Sequence, residues 1–194
     1  MLREEQIGFL RELQPQIMAS VLLLAMGVIV GAVSGAQFSD MGAHLRESLG
    51  SFARMFADLP KPLLASAIFL NNSVKTFLVL ILGVLGGILP VFFLLLNGYA
   101  IGLVLYLSIQ SHGVVSSLMA ILPHGIFELP AVLLGASIGI FLGAQAIKRL
   151  SGKFQTSLTR DFGRGLRLFW SIILPLLLLA AFIEAFITSV IVAA

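Results

Sequence analysis

The sequence predicts an all-α fold, a polytopic transmembrane helical bundle of about five spanning helices, and three observations predict it. The 194 residues are 59% hydrophobic and only 11% charged. Mean hydropathy is +1.07, far outside the range of a water-soluble domain. All charged residues except Lys75, Glu128 and Glu184 fall in segments that can sit in water or at an interface.

A single integral membrane domain over 1–194 is expected, with the first span and a surface helix in 1–62 and a helical core in 63–194. The segment Met1 to Pro15 mixes Arg3, Glu4, Glu5, Arg11 and Glu12 with Ile7, Phe9 and Leu10. It has no short apolar core followed by a small-residue cleavage site, so a cleaved signal peptide is not expected. The first span runs from Gln16 to Gly35, long enough at 1.5 Å per residue for a hydrocarbon core of about 30 Å. From Ser39 to Asp58, Leu45, Leu49, Phe52 and Phe56 recur at helical spacing between Arg46, Glu47, Arg54 and Asp58. That pattern is an amphipathic helix, lying either on the membrane surface or on the protein's own core.

Pro60 and Pro62 end it, and the apolar run that follows to Ile109 is long enough for two crossings. A tight turn near Gly86, Gly87 and Pro90 divides it into a second span, Leu64 to Leu85, and a third, Val91 to Ile109. Val114 to Leu122 is too short to cross before Pro123, and reads as a re-entrant or surface segment, with a broken helix around Pro123 to Pro130. The fourth span is Phe127 to Ala146 and the fifth Leu168 to Val192. The 148–167 loop carries Lys148, Arg149, Lys153, Arg160, Arg164 and Arg167 against Asp161 alone. By the positive-inside rule it faces the cytoplasm with the N-terminus, and the C-terminus faces outward. The protein is expected in the cell membrane.

Charge and composition also narrow the chemistry. The net charge of +3 follows from basic residues gathered in one loop, which reads as topology, not as a nucleic-acid surface; the same loop can hold anionic lipid. Without cysteine there is no disulfide, thiolate ligand or cysteine nucleophile. Ser20, Ser66, Ser73 and Ser137 stand in no hydrolase motif, and phosphate-binding glycine motifs are absent. No enzyme and no cofactor is expected. An intramembrane metal-dependent hydrolase is the enzymatic alternative, and it has the fewest supporting residues.

The polar residues within the spans are the candidate site: Asn71, Asn72, Lys75, Asn97, His124, Glu128 and Glu184. Ionisable groups in hydrocarbon cost about 2.5–3.5 kcal/mol on insertion scales, so such residues usually face a cavity or a partner. Lys75 is expected to pair with Glu128 or Glu184, or else to snorkel. Asn97 is expected to bond across helices. His124 and Glu128, four apart, share a face if the helix is regular, or line a helix N-terminus if it starts there. They supply at most two metal ligands, a third coming from Glu184 or His112. The bland reading is a buried pair that locks a turn. Small residues recur at GxxxG spacing at Gly27/Gly31/Gly35, Gly83/Gly87, Gly98/Gly102 and Gly135/Gly139/Gly143. Such rows let backbones approach, within one subunit or at the interface of a homo-oligomer such as a dimer.

The segments FLNNSVKTF (Phe69 to Phe77), NGYAIG (Asn97 to Gly102), LPHGIFELPA (Leu122 to Ala131) and AFIEAFIT (Ala181 to Thr188) resemble the stage II sporulation protein M family of bacterial and archaeal integral membrane proteins, from Leu63 onward. The matching residues are Asn71, Asn72, Asn97, Gly98, His124, Gly125, Glu128, Pro130 and Glu184. The resemblance implies a polytopic helical protein. In sporulating bacteria it implies membership of a membrane complex that acts with peptidoglycan-degrading partners; most relatives occur without sporulation. The expectation is a scaffold or subunit of a membrane complex. The alternative is a transporter or channel using the Glu128, Glu184, His124, Lys75 and asparagine cluster.

Overall fold

The computed structural model describes residues 2–37, 59–152 and 157–188, all helix and turn. The amphipathic segment from Ser39 to Asp58 lies outside the described residues, as does Lys153. Helix α1 is Leu2–Glu12, α2 is Gln14–Gln37, α3 is Lys61–Leu82 and α4 is Ile88–Leu150. Helix α5, Leu158–Leu168, runs through a π-helical turn (Phe169–Ile173) into α6, Leu174–Ile183, and ends in a second π-helical turn, Glu184–Thr188.

Four of these rods are long and apolar enough to cross a membrane. The longest, α4, has 63 residues, about 95 Å if straight. It is not straight. Gly139 packs on Pro90 and Gly143 on Gly87, so the two ends of the rod lie side by side. The chain reverses at Gly113, the one position inside α4 with non-helical angles (φ 79, ψ 168). Glycine takes positive φ without the Cβ penalty other residues meet. Serines fasten the reversal: Ser117 donates to the Gly113 carbonyl at 2.7 Å, and the Ser108 and Ser117 hydroxyls are 2.8 Å apart. The limbs 88–112 and 114–150 therefore form an antiparallel pair.

Contacts fix the remaining directions. Gly27, Gly31 and Gly35 of α2 meet Gly98, Tyr99 and Tyr106 in ascending order, so α2 runs parallel to the first limb. Thr76 and Val79 of α3, and Gly83 just past its end, meet Gly135, Gly139 and Gly143, so α3 runs parallel to the second limb. Asp161, Gly165 and Thr188 meet Gln145, Ile138 and His124, so α5 and α6 run back against it. The result is five alternating rods, with the Gly113 reversal at one end of the bundle and the α3–α4 turn at the other. That turn is where the sequence places it: Gly86 (φ 77) and Gly87 (φ 74) both need the left-handed region.

The expected break at Pro123 to Pro130 is corrected. Both prolines sit inside continuous helix, and Val114 to Leu122 is not a separate re-entrant piece but the first turns of the second limb. Proline is tolerated in a membrane helix where neighbours accommodate the freed carbonyl, whereas a full reversal needs backbone angles that only glycine supplies cheaply.

At the α3–α4 end, α1 lies against α5. Arg164 takes Glu12 in a two-pronged pair at 2.8 and 2.9 Å, touches buried Asp161 at 3.2 Å and covers the Phe9 ring at 4.1 Å. Arg167 reaches Glu5 at 2.9 Å. Phe9 and Leu13 are buried against Phe141, Leu142 and Leu168 in the main apolar core.

Candidate functional site

The second limb of α4 carries His124 and Glu128 on one face, one turn apart, because the helix has been regular since residue 114. No helix starts there, so the reading of a helix N-terminus that favours an anion does not hold. Glu184 arrives from the antiparallel rod, which places its C-terminal turn level with His124 and Glu128. Ligand atoms of His124, Glu128 and Glu184 all lie within 4.8 Å of one another, and all three side chains are half-buried. Neither carboxylate has a hydrogen bond or ion pair within the described residues.

Thr188, absent from the predicted set, completes the group: its hydroxyl lies 3.5 Å from His124 Nδ1. Thr188 and Glu184 are the two ends of the π-helical turn. Such turns are rare and frequent at functional sites. Its only sequence signal is the four-residue spacing from Glu184 in AFIEAFIT.

Lys75 acts on Glu128 through space, and Glu128 on Glu184. Lys75 stands lower on α3 than Glu128 does on α4, but side chains lean toward a helix's own N-terminus, which here is the direction of Glu128. Within the described residues it makes no ion pair closer than 4 Å. Lys75 and Asn71 face outward from the bundle and Asn72 is half-buried. Asn71 donates to Asn72 at 3.2 Å.

Two expectations change. Among the described residues Asn97 does not bond across helices; its amide donates to the Phe93 carbonyl one turn back at 2.8 Å, within its own helix. His112 is exposed beside the Gly113 reversal and is not among the described residues whose ligand atoms converge.

The glycines occupy close contacts within the subunit. Gly27 and Gly31 meet the backbone of the first limb, as do Gly98 and Gly102 the backbone of α2, and Gly35 lies on the Tyr106 ring. Gly83 meets the backbone of Gly139 and Gly143, Gly87 that of Gly143, and Thr76 fills the space at Gly135.

A groove of about 300 Å³ between α3 and α6 lies at the level of the cluster, lined by Ala65, Phe69, Leu70, Leu178, Phe182 and Ser66. The Ser66 hydroxyl is spent on the Pro62 carbonyl at 2.8 Å, so this wall offers an ion nothing.

Residues 20–189 match the family model described as Stage II sporulation protein M. The match starts well before Leu63, so it takes in the first span as well as the helical core. The chain is also similar to an uncharacterized protein of Methanocaldococcus jannaschii, 26% identical over 173 residues that cover 89% of this chain and 93% of that protein. No solved structure matches the chain.

Proposed function

Since the chain belongs to the stage II sporulation protein M family, we propose that it is a subunit of a membrane complex, with α3 as the face on which another transmembrane helix seats. The observation that carries this is the outward placement of Asn71 and Lys75 among exposed Leu70, Val74 and Leu78. Lipid tails cannot bond an amide or an ammonium, and a helix from another subunit can. Among the described residues the glycine rows are filled within the subunit, whereas this face of α3 is exposed. In this reading the N-terminus and the basic end of the bundle face the cytoplasm and the C-terminus faces outward, in keeping with Lys148 and Arg160 on that end. Those two exposed residues, with Arg164 and Arg167 engaged by α1, are the candidates for anionic lipid.

The test is particle mass in native-lipid nanodiscs together with photo-crosslinking from position 71. Wild type is expected as an assembly that crosslinks through position 71, and Lys75→Leu is expected to shift it toward the single chain. A wild type that is a single chain in native lipid, with no adduct, would overturn the reading.

A second reading, ion or solute transport, is favoured by one observation, the convergence of His124, Glu128 and Glu184 in the span region. It predicts that Glu128→Gln abolishes ion movement in liposomes while expression and particle mass stay unchanged. Retained movement in that variant removes it.

A further inference from the structure

We propose that His124, Glu128 and Glu184 form a binding site for a divalent first-row transition ion such as zinc or manganese. The site goes beyond the subunit role and does not depend on it.

The donor set is the first argument. One imidazole and two carboxylates give a mixed nitrogen and oxygen site, which suits zinc or manganese; calcium and magnesium favour all-oxygen shells. The three donors come from two rods, with His124 and Glu128 on one face of the second limb of α4 and Glu184 on the opposing π-helical turn. Ligand atoms around one tetrahedral zinc ion, bound at about 2.0–2.2 Å, stand about 3.3–3.6 Å apart. Here they lie within 4.8 Å, so side-chain rotations that bring them about 1–1.5 Å closer close the site.

Charge is the second argument. Two carboxylates within 4.8 Å repel one another, and Lys75, the cation that acts on Glu128, offsets one of the two charges at most. Neither carboxylate is bonded to another described residue, so the remaining charge needs a proton or a metal ion. The imidazole within the same 4.8 Å favours the metal, because a proton shared by two carboxylates has no use for a third donor. The Thr188 hydroxyl at 3.5 Å from Nδ1 adds what metal-bound histidines usually have, a neighbouring group on the ring that fixes its orientation.

The full chain, purified in detergent with any tag removed and stripped with a chelator, is titrated with Zn²⁺, Mn²⁺ and Mg²⁺ by calorimetry. The expected result is one Zn²⁺ or Mn²⁺ per chain, undisturbed by excess Mg²⁺ and weakened roughly tenfold or more by Glu128→Gln and by Glu184→Gln. Because those variants can also damage folding, His124→Cys is loaded with Co²⁺. The protein has no cysteine of its own. A thiolate-to-cobalt absorption band in this variant, absent from wild type, then reports coordination at position 124 directly. Uptake below one ion per chain, affinity equal in wild type and both glutamine variants, or a folded His124→Cys protein that takes up Co²⁺ without the band would each overturn the site. Metal uptake is read as ions per chain and does not depend on particle mass, which keeps this test separate from that of the subunit role.

Discussion

Gly102→Leu is expected to cost about 3 kcal/mol or more and to separate α2 from the rest of the bundle. Any Cβ at Gly102 falls on the backbone of Val28, and one at Gly31 on the backbone of Tyr99. A side-chain obstacle can rotate away, but here both sides are main chain, so the whole helix must move. Overpacking of a tight core costs about 1–3 kcal/mol even where side chains can yield. In a membrane the loss is not recovered by burying the leucine, since lipid is as apolar as the interface. Equilibrium unfolding in mixed micelles measures it. Gly31→Leu should match it, whereas Gly163→Ala, with nothing within 4 Å, should be neutral or slightly stabilising. Equal stability of Gly102→Leu and wild type would mean that α2 does not pack as described.

Arg164→Ala is the second large effect, expected at about 2–3 kcal/mol, with release of α1. Arg164 is 11% exposed and joins Glu12, Asp161 and the Phe9 ring. Removing one member of a buried pair costs about 3–5 kcal/mol, and the half-exposed Glu12 lowers that figure here. Asp161, 1% exposed, loses one of its donors. Arg167→Ala is the comparison: both members of its pair with Glu5 are well exposed, at 52% and 38%, so less than about 1 kcal/mol is expected. Limited trypsin digestion at Arg3 and Arg11 reads the same difference. Cutting should speed up in Arg164→Ala and stay close to wild type in Arg167→Ala. Similar rates in all three proteins would show that the Arg164 cluster does not hold α1.

Hydropathy alone located the rods, since a segment of about 20 apolar residues has few alternatives to crossing a bilayer. Gly86 and Gly87 were legible as the α3–α4 turn because paired glycines have few other uses. The end of the third span at Ile109 lay close to the Gly113 reversal, but Pro123 and Pro130 were read as a break that the helix does not have. Proline weighs heavily in a sequence, but two prolines seven residues apart can be absorbed by a packed membrane helix.

The candidate site was legible in part for the same reason. Glu128, Glu184 and Lys75 stand out because charge is costly in lipid, and the four-residue spacing put His124 beside Glu128. Their meeting with Glu184 depends on which rods are neighbours and in which direction they run, which no local pattern encodes. Asn97 was misjudged because an amide within reach of its own helix's carbonyl needs no partner helix. The hold of Arg164 on Glu12 joins positions 152 residues apart and left no trace in either segment.

The parallel seating of α2 on the first limb of α4 has a consequence in time. Gly27 meets Gly98, about 70 residues later in the chain. At about 5–20 residues per second, a ribosome takes several seconds to make that stretch. Throughout that interval α2 is complete while the helix that covers its glycine face has yet to be synthesised. The bare face is open during that time, and a second nascent chain that reaches it first is a competitor for the same groove. Slow codons between 38 and 87 would lengthen this exposure, whereas slow codons after residue 112 would fall when the groove is already filled.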